Sequence, residues 1–173
     1  MSDELVVTRS FDAPRQLVFE AWTVAEHFTR WFGPDAATVT DAELDARPGG
    51  VIAFRHEFEG GATLFVSGRF DEVVAPERIG FTVAFTDADG RPGRHPLLPD
   101  WPQHASIVTT VVLEEDGGRT AVTVRQRVIP DDAARTAAVA AERRGARAGW
   151  TEVLDRLAAV LHNLTEEDPR WPT

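Results

Sequence analysis

Residues Gly149 to Leu164 read GWTEVLDRLAAVLHNL, with Trp150, Leu154, Leu157, Leu161 and Leu164 recurring at steps of three and four. Val153 and Val160 lie beside that stripe, while Glu152, Asp155, Arg156 and His162 take other directions. This period is that of an amphipathic helix. Burying each large apolar side chain contributes roughly 1.5–3 kcal/mol, so a stripe this long demands a broad apolar surface to lie against. The remainder of the chain offers one such surface, a run of β-strands.

Upstream, Leu5 to Phe11 is rich in β-branched residues and reads as a first strand. Asp12-Ala13-Pro14 then opens a helix, with Asp12 or Ala13 at the cap, Pro14 in the first turn, and Leu17, Val18, Ala21 and Trp22 as its inner stripe. Thr23-Val24-Ala25-Glu26 has the pattern of a capping box. A second short helix is expected there, carrying Phe28, Trp31 and Phe32 until Gly33-Pro34 ends it. From Ala37 to Val128 the period becomes two. Strands are expected at Ala37–Asp45, Val51–Phe58, Thr63–Val73, Arg78–Phe85, Ala105–Leu113 and Thr120–Val128. Their joints mostly carry turn residues, such as Gly60-Gly61 and Asp116-Gly117-Gly118. With the first strand this makes a seven-stranded, largely antiparallel meander.

One joint is long. Thr86 to His104, TDADGRPGRHPLLPDWPQH, holds four prolines and two histidines and reads as a lid or mobile segment. Pro130-Asp131-Asp132 caps a helical region whose Ala- and Arg-rich half, Ala133 to Ala148, lacks a clear stripe. Gly145 and Gly149 weaken it, so a break or kink is expected before Trp150. Residues 1–164 read as one domain, and 165–173 as a polar, disordered tail.

Composition narrows the chemistry. The 173 residues carry a formal net charge of −10, which repels phosphate backbones and anionic membranes and disfavours nucleic acid as a partner. All 18 basic residues are Arg, and the chain has no Lys, Cys or Tyr. Schiff bases, thiolate nucleophiles, disulfides, thiolate metal sites and phenolic acids are thereby excluded. No apolar run is long enough to span a bilayer and no signal-peptide pattern opens the chain, so a cytoplasmic protein is the expectation. No Gly-rich phosphate loop follows a strand and Ser67 lacks a nucleophile-elbow pattern, so no cofactor is expected. His95, Asp100 and His104 are the one grouping of metal-ligand types, without the spacing of a known metal motif; no metal is expected.

The order strand, two short helices, six strands, long helix is that of the helix-grip fold, an α+β architecture. RSFDAPRQLVFEAW (Arg9–Trp22), EHFTRWFGP (Glu26–Pro34), ARPGG (Ala46–Gly50), GRFDEVVAPERIGFT (Gly68–Thr82) and GW…LDRLAAVL (Gly149–Leu161) resemble the bacterial family named for the activator of the heat-shock-protein-90 ATPase. That family belongs to the START-like, Bet v 1-like superfamily of polyketide cyclases, lipid-transfer domains and hormone receptors. The resemblance covers Leu5 to Leu164. It departs at the Pro-rich joint and at a longer Ala/Arg-rich segment before Gly149. It implies a cavity between the concave face of the sheet and the long helix, filled by a small hydrophobic molecule.

Residues alternating inward there are the candidate ligand contacts. Ile52, Phe54, His56 and Phe58 share one face of their strand, and Ile79, Phe81, Val83 and Phe85 one face of theirs. His56 is thus a polar side chain on an apolar face, satisfied by a neighbour in the plainer reading and touching ligand in the sharper one. Gln126, among valines, poses the same question. Trp22, Phe28, Trp31 and Phe32 fit either ordinary core or a hydrophobic mouth where the short helices meet the long one. The candidate ligand set is Trp31, Phe54, His56, Phe58, Phe81, Val83, Gln126, Trp150 and Leu154, with no catalytic set assigned. Three functions follow: a binder of a small hydrophobic, aromatic or polyketide-like molecule; a cyclase, aromatase or hydratase using His56, Glu57 or a strand carboxylate; and a protein-interaction module of the chaperone-cofactor kind. The first is favoured by ten Phe and five Trp without a recognisable catalytic set.

Overall fold

The computed structural model describes residues 4–129 and 136–170, side chains at 136–144 excepted. β1 (Leu5–Phe11) leads into α1 (Arg15–Thr23) and α2 (Ala25–Phe28). Six strands follow: β2 (Ala37–Leu44), β3 (Val51–Phe58), β4 (Thr63–Val74), β5 (Arg78–Thr86), β6 (Ser106–Asp116) and β7 (Arg119–Ile129). α3 (Thr136–Glu167) ends the order. All neighbours pair antiparallel in the order β1-β7-β6-β5-β4-β3-β2, so β2 to β7 form the expected meander and β1 closes on β7. Turn chemistry sets this register. β6 and β7 are joined by Gly117 and Gly118 alone, both at positive φ (59° and 84°), which a two-residue hairpin matching the strand twist requires.

α3 is the helix that the sheet grips. Trp150, Leu154, Leu157, Leu161 and Leu164 are all buried, and they share one contiguous core with Ile52, Phe70, Ile79, Val111, Leu113 and Val122 of the sheet. Arg9 of β1 pairs with Asp155 at the helix's outer edge.

Four local expectations are corrected. Pro14 is itself the cap of α1, with extended ψ of 147°, and no side chain caps the helix. The Ala13 carbonyl accepts the Thr120 hydroxyl at 2.8 Å, which holds the chain to the sheet and delays the helix by a residue. The capping box does not form either. Thr23 is the last residue of α1 and gives its hydroxyl to the Phe19 carbonyl (2.9 Å), leaving Val24 to start α2. α3 shows no break at Gly145 or Gly149 and runs as one helix of 32 residues. Once its apolar stripe is docked, helical propagation carries the two glycines along. Finally, the helix continues past Leu164 to Glu167, and Arg170 pairs with Asp168 (2.7 Å) and Glu20 (3.5 Å). The Pro130-Asp131-Asp132 cap lies outside the described residues, as do residues 171–173.

The long joint, residues 87–105, folds back on the end of β5. The amide of Gly93 donates to Phe85 O (3.1 Å), that of Asp87 donates to Arg91 O (2.8 Å), and Trp101 lies 5.3 Å from the Phe85 ring. No described helix is long and apolar enough to cross a membrane.

Candidate functional site

The inner face of β3 presents Ile52, Phe54, His56 and Phe58 in succession, three of them buried and Phe58 half-buried at the strand end. Opposite its upper half, the chain leaving α2 turns at Gly33, whose φ of +98° is open to glycine and closed to most side chains. A Cβ at Gly33 would sit 2.7 Å and 2.8 Å from Cε1 and Nδ1 of His56. Only glycine lets the turn rest on the imidazole. The third wall is α3, where Ala146, Gly149, Trp150 and Val153 fall at helical spacing on one face.

Between these walls lies a mouth of about 260 Å³, lined by Phe32, Gly33, Pro34, His56, Ala146, Gly149, Trp150, Glu152 and Val153. Its surface is mostly apolar, with His56 the polar group on the sheet side. The walls are braced. Trp150 stacks on Trp22 with centroids 6.2 Å apart, and its indole N–H donates to Gln126 Oε1 (3.3 Å). Gln126 in turn donates to the buried Thr109 hydroxyl (3.2 Å). Phe32 stacks parallel to His56 at 6.5 Å and meets Phe54 edge-on at 5.4 Å.

His56 is 7% exposed, and its Nδ1 is buried without a hydrogen-bond partner. Burial pushes its pKa from the usual 6.5 down to about 4, with His95 adding a smaller effect in the same direction. The imidazole is therefore neutral at pH 7. His95, from the long joint, sits 4.8 Å from Phe85 and 6.5 Å from Phe58, accepts the Leu97 amide at Nδ1 (3.1 Å), and is likewise lowered by burial to about 4. It packs, part-buried, against these two rings. Among the described residues no group of three or more His, Cys, Asp or Glu is arranged to hold a metal.

Of the nine residues expected to contact ligand, His56 and Trp150 line the mouth. Phe54 packs directly behind them, Phe58 sits between His56 and His95, and Gln126 anchors the Trp150 indole. Trp31, Phe81, Val83 and Leu154 belong to the core. Trp31 is 1% exposed with its indole N–H on Ala21 O (2.9 Å), and Phe81 packs edge-on against Phe70. Ala146, Gly149, Glu152, Pro34 and Gly33 are lining residues that the sequence reading did not single out. The available signal was the helical stripe itself, which turns from large residues to small ones on passing Trp150 toward Ala146. Glu57, an earlier candidate for proton transfer, points to the opposite face of β3 and pairs with Arg55 (3.2 Å).

Two other clefts are present. A larger one of about 440 Å³ lies between Phe11, Asp12, Arg119, Leu161, His162 and Glu166, and another of about 270 Å³ lies on the outer sheet face near Arg55 and Ser67. The first has a lining of mixed polarity, in which Asp12 and Arg119 already face each other at 3.7 Å. In the second, Arg55 is taken by Asp41 and Glu57. Neither combines apolar walls with an unpartnered buried polar atom, as the smaller mouth does.

No curated protein matches the chain. Solved structures do. A protein of Chromobacterium violaceum is 25% identical, with 93% of this chain and 98% of that one covered at a TM-score of 0.69. A protein of Staphylococcus epidermidis is 26% identical over 94% and 92% of the two chains, at a TM-score of 0.73. A protein of Arthrobacter aurescens shares the fold at a TM-score of 0.75 and 22% identity, over 93% and 87%. Residues 12–162 match the sequence profile of the Activator of Hsp90 ATPase homolog 1-like proteins. That span runs from just before α1 into the gripped part of α3, and on it the chain belongs to the Activator of Hsp90 ATPase homolog 1-like family, built on a START-like, helix-grip fold.

Proposed function

We propose that the protein binds a small, mainly apolar, ring-sized molecule in the mouth between the Phe32–Pro34 turn, β3 and α3. The observation that carries this reading is the pairing of apolar walls with His56, a nine-tenths buried side chain that has no hydrogen-bond partner. Size supports a single ring. A cavity of about 150 Å³ accepts benzene, whereas drug-sized ligands occupy roughly 300–1,000 Å³; the mouth, at about 260 Å³, lies between. Holding is favoured over catalysis. A base with a pKa of about 4 takes protons poorly at neutral pH, and Glu152 is the other titratable residue of the lining.

Trp150 forms a wall of the mouth, so its fluorescence reports occupancy. Titration with small arenes should give a saturable change. Gly149→Leu places a side chain where a Cβ meets nothing within 4 Å, so the fold should tolerate it while the mouth is blocked. Saturable binding in the wild type and its loss in Gly149→Leu supports the reading. Equal binding by both proteins places the ligand elsewhere.

A further inference from the structure

His56 has two ring nitrogens in unlike places. Nδ1 is sealed against Gly33 and without a partner, whereas Nε2 is not among the buried unpartnered atoms, and no described residue is hydrogen-bonded to it. Nε2 is therefore the nitrogen left to meet a molecule in the mouth. A neutral imidazole keeps one N–H and one lone pair. An orphaned buried N–H is rarer and costlier than an unused acceptor, so the proton belongs on Nε2 and the bare lone pair on the sealed Nδ1. The charge pattern adds a second constraint. Among the described residues that line the mouth, Glu152 is the one charged group. Arg156, nearby on α3, does not line the mouth; its Nη1 pairs with Asp35 and its Nε donates to the Trp31 carbonyl (3.2 Å), while its Nη2 is buried without a partner. An anion entering the mouth would leave water for apolar walls and a carboxylate, with no described cation of the lining to receive it.

Resting on the site proposed above, we infer that its ligand is a neutral molecule bearing an acceptor oxygen, a carbonyl or ether on an apolar ring, which takes the Nε2 proton of His56. The site discriminates against carboxylates of the same shape. His56 is the specificity residue, and Gly33, with no Cβ, is what allows the turn to lie against its ring.

Three probes of one shape separate the possibilities: acetophenone, α-methylstyrene, which replaces the carbonyl oxygen by a methylene, and benzoate. Each is titrated at pH 7 into the wild type and into His56→Phe, and nitrogen-15 NMR of the wild-type imidazole reports the tautomer. The ratio of acetophenone to α-methylstyrene affinity should fall about three- to tenfold on going to His56→Phe, the scale of one hydrogen bond. Benzoate should bind the wild type at least about tenfold more weakly than acetophenone. The wild-type spectrum should show the proton on Nε2. An unchanged ratio, benzoate binding equal to acetophenone, or a proton on Nδ1 overturns the inference while leaving the mouth as a binding site. Failure of all three probes to bind overturns the site as well. The NMR readout needs no variant, so it stands even if His56→Phe does not fold.

Discussion

His56 shows how one residue's chemistry is set by neighbours distant in sequence. Its place on an apolar face is legible from the alternation of Ile52, Phe54, His56 and Phe58. Its neutrality is not, because Phe32 and Gly33, which cover it, come from a turn joined to another strand. The lowered pKa makes stability depend on pH. The unfolded chain takes up a proton below 6.5, whereas the folded imidazole resists protonation until about 4. The stability this contributes is complete above 6.5 and is lost as pH falls toward 4. At pH 4.5 the wild type should have lost about 2 kcal/mol more of its pH 7 stability than His56→Phe has. His95 shifts in the same direction but is common to both proteins. Urea melts of the two at pH 7 and pH 4.5 check this, and parallel losses would contradict it.

Among the elements, the strands were the most readable, since a period of two and glycine-rich joints are local properties. β1 and β3 span the residues expected, and the other strands differ by one to three residues at their ends. The helices were less so, for reasons that lie in tertiary structure. Thr23 prefers a backbone carbonyl of its own helix over a capping role, and α3 passes through two glycines because its far half is docked. Those glycines offer a separation of stability from function. A Cβ at either Gly145 or Gly149 meets nothing within 4 Å. Replacing each by Ala should raise stability by about 0.4–1 kcal/mol. Gly149 lines the mouth and Gly145 does not, so Gly149→Ala should also weaken ligand binding, while Gly145→Ala should leave it unchanged. Thermal melts with parallel ligand titrations test the pair; equal effects on binding would sever Gly149 from the site.

The long joint is a second element whose behaviour can be measured. Its backbone is tied to β5 at Gly93, while Leu97 is 54% exposed and few backbone bonds hold the stretch around it. Amides of residues 94–101 should exchange with solvent faster than those of residues 107–111 in β6, with the Gly93 amide slower than its loop neighbours. Uniform protection across the joint and β6 would show a rigid cap instead.

At the scale of the whole molecule, one amphipathic stripe and seven alternating segments were enough to foresee a helix gripped by a curled antiparallel sheet, because burying that stripe leaves few other solutions. The site was read less sharply. Inward phase marks every residue facing the helix, and it does not separate those that fill the core, such as Phe81, Val83 and Leu154, from those beside a gap. The gap arises where large side chains give way to Ala146, Gly149 and Gly33, so it is written in small residues from two distant segments. The central claim is that a small neutral ligand occupies this gap. Its most direct test is a two-dimensional proton–nitrogen NMR titration with acetophenone. The claim predicts shifts concentrated on the amides of Phe32, Gly33, His56, Gly149 and Val153 and on the Trp150 indole. Shifts centred instead on Asp12, Arg119 and His162, or none at saturating acetophenone, would contradict it.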